Sequence, residues 1–339
     1  MRTKAKIWLT IIATLVTLLM AVAVGSVYIS PANVFRIILY SILEYFELPN
    51  FVNMENITVA NYAIVRNLRL PRVLLAFLAG SALSVSGAIM QSVLRNPLAS
   101  SFTLGVSSGA SLGAAFVIFL GFNFISFFTL PFLGFTFGML TILLVVGFSA
   151  KIGLDNNTII LTGMVLSLFI NAIITLLFAL FRENAQRMIL WQMGSFSMRD
   201  WQTVVILAPI ILVGSVLVFR YKFELDILTF GEEQAQTIGL NSKRTKIILL
   251  TIAAALTGST ISFVGIIGFV DLVAPHVVRK IFGAAHRYVI PMSAIIGGSF
   301  MVLADLVART ITAPTELPVG VITAILGAPF FAYVFFAKR

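Results

Sequence analysis

Long apolar runs recur along this chain with very short polar breaks between them, and that pattern constrains the fold more than any other feature. One run stretches from Ile7 to about Ile29, another from Val73 to Val93. Others cover Phe127 to Ala150, Thr158 to Phe181 and Ile247 to Phe263. About 20 apolar residues suffice for a helix to cross a hydrocarbon core, where every backbone polar group must find its partner inside the segment. A soluble fold has no water-facing role for so many such runs. Of 339 residues, 59% are hydrophobic and 11% charged, against about 25% charged in a soluble domain. The chain is therefore read as an all-α polytopic membrane protein of about ten transmembrane helices, forming a single domain over 1–339, rather than a large soluble protein.

The formal net charge of +10 raises the question of nucleic acid. No basic run with interleaved aromatics supports that partner. Lysines and arginines gathered in the loops of one membrane face account for the charge instead. The chain has no cysteine, which removes disulfides, thiolate metal sites and a cysteine nucleophile.

Taken in order, Arg2, Lys4 and Lys6 precede the first run and place the N-terminus inside. Ala21-Val22-Ala23 has the small-x-small form of a signal-peptide cleavage site, but the apolar run continues past it, so a retained helix is expected. Ser30-Pro31 reads as an N-cap followed by proline at the first helical position. It opens an amphipathic outer helix with Val34, Ile37, Ile38, Ser41, Ile42 and Tyr45 on one face. Arg66, Arg69 and Arg72 then cluster on the outer side, against the usual charge bias. Two readings stand for them: a docking surface for an acidic external partner, or headgroup anchoring.

The second span, Val73 to Val93, is rich in small residues (Gly80, Ala82, Ser84, Ser86, Gly87, Ala88) that let membrane helices approach closely. A third span, Phe102 to Phe119, carries Ser107 and Ser108, whose hydroxyls suit either tight packing or a wettable pathway wall. Asn171 sits in the middle of the fifth span, as a packing contact or a pore-lining group. Trp191 and Trp201 read as interface anchors. A sixth span covers Thr203 to Phe219. After the seventh, Ile247 to Phe263, a short eighth span is expected to end at Pro275-His276, followed by a basic inside segment. Asp305 and Arg309 lie four apart on the ninth span (Val289 to Ala308), a spacing suited to an ion pair. The tenth span runs from Val321 to Phe336. With this alternation both termini lie inside, together with most of the 23 lysines and arginines.

The longest polar break of the second half is Phe223 to Lys246. It carries Glu224, Asp226, Glu232 and Glu233 and ends in Lys243, Arg244 and Lys246. Two short helices are expected in it, Asp226–Phe230 and Glu232–Ile238. Gly231 permits a sharp entry between them, and Gly239 stands at a helix C-terminus. A structured inside loop of this size invites a partner.

Eight motifs in order now carry a resemblance over nearly the whole chain. They are LRLPR at Leu68–Arg72, SGAIMQSVLRNPLA at Ser86–Ala99, LGVSSGA at Leu104–Ala110, FGEEQAQTIGL at Phe230–Leu240, APHVVR at Ala274–Arg279, HRYVIPMSAIIGG from His286, ADLVAR at Ala304–Arg309, and ELPVGVITAILGAPFF from Glu316. In these the chain resembles permease subunits of the iron-siderophore, haem and cobalamin (FecCD-type) class of bacterial ABC importers. The resemblance implies the type II ABC importer permease fold, in a bacterial or archaeal cytoplasmic membrane. It implies a second permease copy in a homodimer or with a close paralogue, two ATP-binding cassette subunits docked inside, and an external substrate-binding protein.

On this resemblance the coupling loop is carried by Leu225, Phe230, Gly231, Glu232, Glu233, Ala235, Ile238 and Gly239. Arg69, Arg72 and Arg309 are similar to the family's receptors for glutamates of the binding protein. Ser107, Ser108, Asn171 and Asp271 are the pathway candidates. Asp271 departs from the family pattern, which has glycine there. It is expected to reach water or to pair with Arg279, or else to alter gating or cargo preference. No cofactor is implied. The cargo expected of the class is a ferric siderophore, with haem, cobalamin and molybdate or tungstate as alternatives.

The residues agree with a permease that hydrolyses no nucleotide itself, since no G-x-x-x-x-G-K-[ST] is present. An ion-coupled secondary transporter would call for midplane acids or histidines, and Asp271 alone answers that description. A membrane enzyme would call for motifs such as H-E-x-x-H or G-x-S-x-G, and neither occurs.

Overall fold

Each apolar run forms a helix in the computed structural model of the protein, which describes residues 3–49, 51–55 and 57–336. In chain order the helices are α1 (Thr3–Ala23), α2 (Pro31–Tyr45), α3 (Val59–Ala63), α4 (Leu70–Val93), α5 (Val106–Leu120), α6 (Thr129–Ile152), α7 (Asn156–Leu180), α8 (Ala185–Gln192), α9 (Trp201–Arg220), α10 (Lys222–Phe230), α11 (Glu232–Thr237), α12 (Ser242–Val264), α13 (Val270–Phe282), α14 (His286–Thr310) and α15 (Val319–Phe336), with no strand among the described residues. A wider-wound stretch, Ile64–Arg69, joins α3 to α4. Seven spans are long and apolar enough to cross a membrane: α1, α3 through α4, α6, α7, α9, α12 and α14. α5 and α15 are shorter apolar helices. α13 has 13 residues, about 20 Å at 1.5 Å per residue. These ten correspond to the ten expected spans.

α4 is the hub. It is buried almost throughout and packs against α14, α12 and α13. Its small residues make that possible. A Cβ on Gly80 would stand 2.8 Å from the carbonyl carbon of Gly297, and one on Gly87 would stand 2.7 Å from the Cα of Asp271. Hydroxyls add specificity at these close crossings: Ser81 Oγ donates to Ala294 O of α14 at 2.8 Å, and Ser86 Oγ to Ala253 O of α12 at 2.8 Å. Without a hydrophobic driving force between helices in lipid, such packing and hydrogen bonds hold them together.

α1 marks the two ends of the bundle. At its start Lys6 Nζ donates to Ile281 O at 2.8 Å, beside the end of α13. At its finish the carbonyls of Ala21, Val22 and Ala23 accept from arginine side chains. The first is the end where α10 and α11 lie; the second is the arginine end.

Several boundaries differ from expectation for local reasons. The first span stops at Ala23 rather than Ile29, because the chain turns there and Ile29 N donates to Ala23 O at 3.1 Å. Ser30 does cap α2, its hydroxyl accepting from Asn33 N at 3.3 Å. The inward face of α2 is Val34, Ile37 and Leu43, while Ile42 and Tyr45 point outward. The third span begins at Val106 rather than Phe102, after a turn that ends on Gly105 with φ +80°.

The largest correction concerns α13, which runs through Pro275 and His276 to Phe282 instead of stopping there. A proline inside a helix leaves the carbonyl four residues back without its N–H donor. That carbonyl belongs to Asp271, and Gln91 Nε2 of α4 donates to it at 3.0 Å. A neighbouring helix thus supplies what the proline removes.

Candidate functional site

Opposite the arginine end, α10 and α11 form a two-helix element like the one expected, longer at the front by Lys222–Leu225. Gly231 separates the helices at φ +123° and Gly239 ends α11 at φ +83°, both in the region that favours glycine. Leu240 N closes the C-terminus on Ala235 O at 3.0 Å, as a left-handed cap requires. The element's two faces differ. Leu225, Leu228 and Ala235 are buried and hold it to the bundle. Phe223, Phe230 and Ile238 are 64%, 73% and 64% exposed, and Glu233 and Gly239 are exposed with them. Of the eight residues nominated for this loop, Leu225, Gly231 and Ala235 therefore face inward, Glu232 is half-buried, and Phe230, Glu233, Ile238 and Gly239 make the free surface.

Two polar ties fix this element. Asp226 Oδ1 accepts from the backbone N of His286 at 2.8 Å and meets the ring Nδ1 at 2.6 Å. His286 Nε2 meets Ser92 Oγ at 2.7 Å, and Arg279 Nη2 donates to the same hydroxyl at 3.1 Å. This tie binds α10 to α14, α4 and α13. The second tie is Lys246 of α12, which pairs with Glu232 and donates to Asn156 Oδ1 of α7 at 2.6 Å. Neither Lys246 nor Asn156 carries a signal in the sequence that would have singled it out.

The arginine end holds a cavity of about 460 Å³ lined by Arg69, Arg72, Arg199, Arg309 and Glu316. Arg69 is buried and its guanidinium donates to the carbonyls of Val22, Ala23 and Val27, capping the end of α1. Arg72 forks onto Asp305 with contacts of 3.1, 3.1 and 2.9 Å and reaches Glu316 at 2.8 and 3.0 Å. Arg309 Nε lies 3.5 Å from Asp305, the expected i,i+4 pair, and its Nη2 donates to Ala21 O. Arg66 pairs instead with exposed Glu44 at 2.6 Å.

Burial pushes the Glu316 carboxyl up, but hydrogen bonds and charge from Arg72 outweigh it and hold the group below the usual range. Burial pushes the Arg199 guanidinium down, against the pull of Asp200. Sequence reasoning left Arg199 and Glu316 outside the docking set, although Glu316 opens one of the eight motifs.

The pathway candidates divide. Asp271 is buried; its Oδ2 accepts from Ser101 N at 3.3 Å and Ser101 Oγ at 3.1 Å, and Ser107 Oγ reaches Ser101 Oγ at 3.5 Å. The expected pairing of Asp271 with Arg279 is not formed: Asp271 is 3% exposed and Arg279 bonds to Gln91, Ser92 and Ala88 O. Ser108 is half-buried. Asn171 stands apart, exposed near the middle of the 25-residue α7. Among the described residues no cluster of three or more His, Cys, Asp or Glu could hold a metal.

An apolar helical bundle with seven spans long enough to cross a membrane marks an integral membrane protein. The chain belongs to the FecCD transport family, whose model matches residues 13–337. It is a permease of the ABC importer type, in a family of transport subunits rather than catalytic ones. The uncharacterized ABC transporter permease YvrB of Bacillus subtilis is 40% identical, over 94% of this chain and 90% of its own. The Fe(3+)-citrate import permease YfmE of the same organism is 34% identical, over 93% and 89%. The hemin transport permease HmuU of Yersinia pestis is 36% identical, over 83% and 85%. A solved transporter described as of metal-chelate type, in an inward-facing conformation, superposes with a TM-score of 0.85 at 27% identity, over 99% of this chain and 100% of that one.

Proposed function

We propose that this chain is the membrane pathway of an ATP-driven importer for a ferric siderophore or similar metal chelate. The carrying observation is the two-faced α10–α11 element. Its inner side is anchored by Leu225, Leu228 and Ala235, and its outer side leaves Phe223, Phe230 and Ile238 in the open. Large apolar side chains projecting from a polar, non-spanning segment mark a surface that another protein covers. An ATP-binding cassette subunit is the occupant, one on each of two permease copies, and the termini lie with them on the cytoplasmic side. The chelate cargo is supported by the Fe(3+)-citrate and hemin relatives. A cobalamin permease of Halobacterium salinarum, 38% identical, supports cobalamin as the alternative.

The cavity of Arg72, Arg199 and Arg309 is the receiving surface for carboxylates of an external binding protein. Arg69 acts there by holding the end of α1 in place. Such contacts steer and orient more than they bind, so docking weakens with salt. Asn171 supports a second permease copy beside α7. An exposed amide in the middle of a span is unfavourable against lipid, and a water-filled pathway between two copies gives it a polar surround.

The test is co-purification with a candidate ATP-binding cassette subunit from the same organism. A stable complex that Phe230→Asp with Ile238→Asp disrupts supports the reading. Wild-type recovery of ATPase by that double variant removes it.

A further inference from the structure

Lys246 is the most deeply buried ammonium of the α10–α11 end, 1% exposed, and it has two partners on different moving parts. One is Glu232, the first residue of α11. The other is Asn156, the first residue of α7, at 2.6 Å. We propose that Lys246 is the positioning residue that carries displacement of α11 into α7. The proposal rests on the reading above that an ATPase docks on the α10–α11 element, and adds that it moves α11.

The two ties of that element lead to different places. Asp226 and His286 fasten α10 to α4, α13 and α14, the most buried part of the bundle. α11 is six residues long and packs only against α10 and α12 among its stronger contacts. α10 is therefore the fixed side of the element and α11 the side free to shift. An ammonium out of water loses far more than thermal energy if its carboxylate leaves it. When Glu232 shifts, the Lys246 head follows it, and the Asn156 carbonyl oxygen that it holds follows in turn.

α7 is built to respond. Its first turn is one unit: Asp155 Oδ1 accepts from Asn157 N at 3.0 Å and Thr158 N at 3.1 Å. Just before it, Gly153 at φ +138° and Leu154 at φ +61° take the chain out of helical geometry, a natural pivot. Along its length α7 is mostly exposed, unlike α4 or α12, and it packs against α5 and α6 rather than against the α4 hub. It also carries Asn171, the exposed polar group of the spans that the pathway reading uses. The chain from ATPase surface to pathway helix is thus Glu232, Lys246, Asn156.

A purely structural role predicts something different: Lys246 would only neutralise Glu232, and the arm to Asn156 would be idle. The native chain has no cysteine, so Leu161→Cys on the exposed face of α7 gives a single reporter. In the assembled complex with its ATPase, a non-hydrolysable ATP analogue should change the maleimide labelling rate of that reporter about fivefold or more, in the range of ordinary allosteric coupling. Adding Asn156→Ala, which leaves the Glu232–Lys246 pair intact, should abolish the nucleotide effect while ATPase recovery stays unchanged. Asn156→Asp keeps an oxygen acceptor and should retain it. A Leu161→Cys/Asn156→Ala protein that responds like Leu161→Cys alone overturns the proposal, as does a Leu161→Cys complex with bound ATPase and no nucleotide response. Failure to recover any ATPase with Leu161→Cys and with wild type overturns instead the reading that an ATPase docks on α10–α11.

Discussion

Arg72→Ala separates the buried charge network of the arginine end from its surface pairs. Arg72 is 13% exposed and Asp305 2%, and three contacts of 2.9 to 3.1 Å join them. Truncation leaves Asp305 facing Arg309 Nε at 3.5 Å. Removing one partner of a buried pair costs about 3–5 kcal/mol, because the remaining charge stays desolvated. The arm to Glu316, itself 37% exposed, adds only about 0–1 kcal/mol after solvent screening. Arg66→Ala is the internal comparison: its pair with Glu44 is 36% and 46% exposed, which places it at about 0–1 kcal/mol.

The heat-challenge midpoint of detergent-purified protein, followed by size-exclusion recovery, should therefore fall by about 4–7 °C for Arg72→Ala, and by about 1.5 °C or less for Arg66→Ala. Arg72→Ala with Asp305→Ala should recover part of the loss, since contacting residues are non-additive by about 0.5–3 kcal/mol. An Arg72→Ala midpoint equal to that of Arg66→Ala would refute the claim that Asp305 depends on this arginine. The same geometry changes how docking must be tested. A charge reversal at Arg69, aimed at the binding protein, also removes the cap of α1.

Other outcomes follow from single contacts. Gly87→Ala places a methyl 2.7 Å from the Cα of Asp271 and should destabilise by about 1–3 kcal/mol, whereas Gly147→Ala, with nothing within 4 Å, should be neutral in the same heat challenge. Glu316 has its carboxyl held below the ordinary value of 4.5, so its link to Arg72 contributes fully above that pH and is lost as pH falls through the folded value. The acid limb of the stability profile should accordingly shrink in Glu316→Gln, and identical limbs in the two proteins would count against the link. Glu233→Lys changes an exposed charge on α11 without touching Lys246, and should lower ATPase recovery in a pull-down; full recovery would show that this face is not the contact.

The helices were legible because lipid allows a spanning chain few alternatives. Run length gave the spans, and Ser30 and Gly239 gave ends that local chemistry dictates. What was not legible depends on residues far away in sequence. Pro275 reads as a stop, and only Gln91, bonded to Asp271 O from 180 residues away, reveals why α13 continues. The outer arginines read as free surface, yet Arg69 is consumed by the carbonyls that end α1. The loop Phe223–Lys246 announced itself by polarity, but which of its side chains face out follows from where Leu225, Leu228 and Ala235 find a core. Lys246 read as one more basic residue of a loop, since its partner Asn156 lies 90 positions away.

ATP dependence of transport tests the central claim most directly. The permease, reconstituted in vesicles with the external binding protein, should accumulate radiolabelled ferric chelate only when the ATPase subunits and ATP are both supplied. Accumulation by vesicles holding this chain and the binding protein alone would contradict the account.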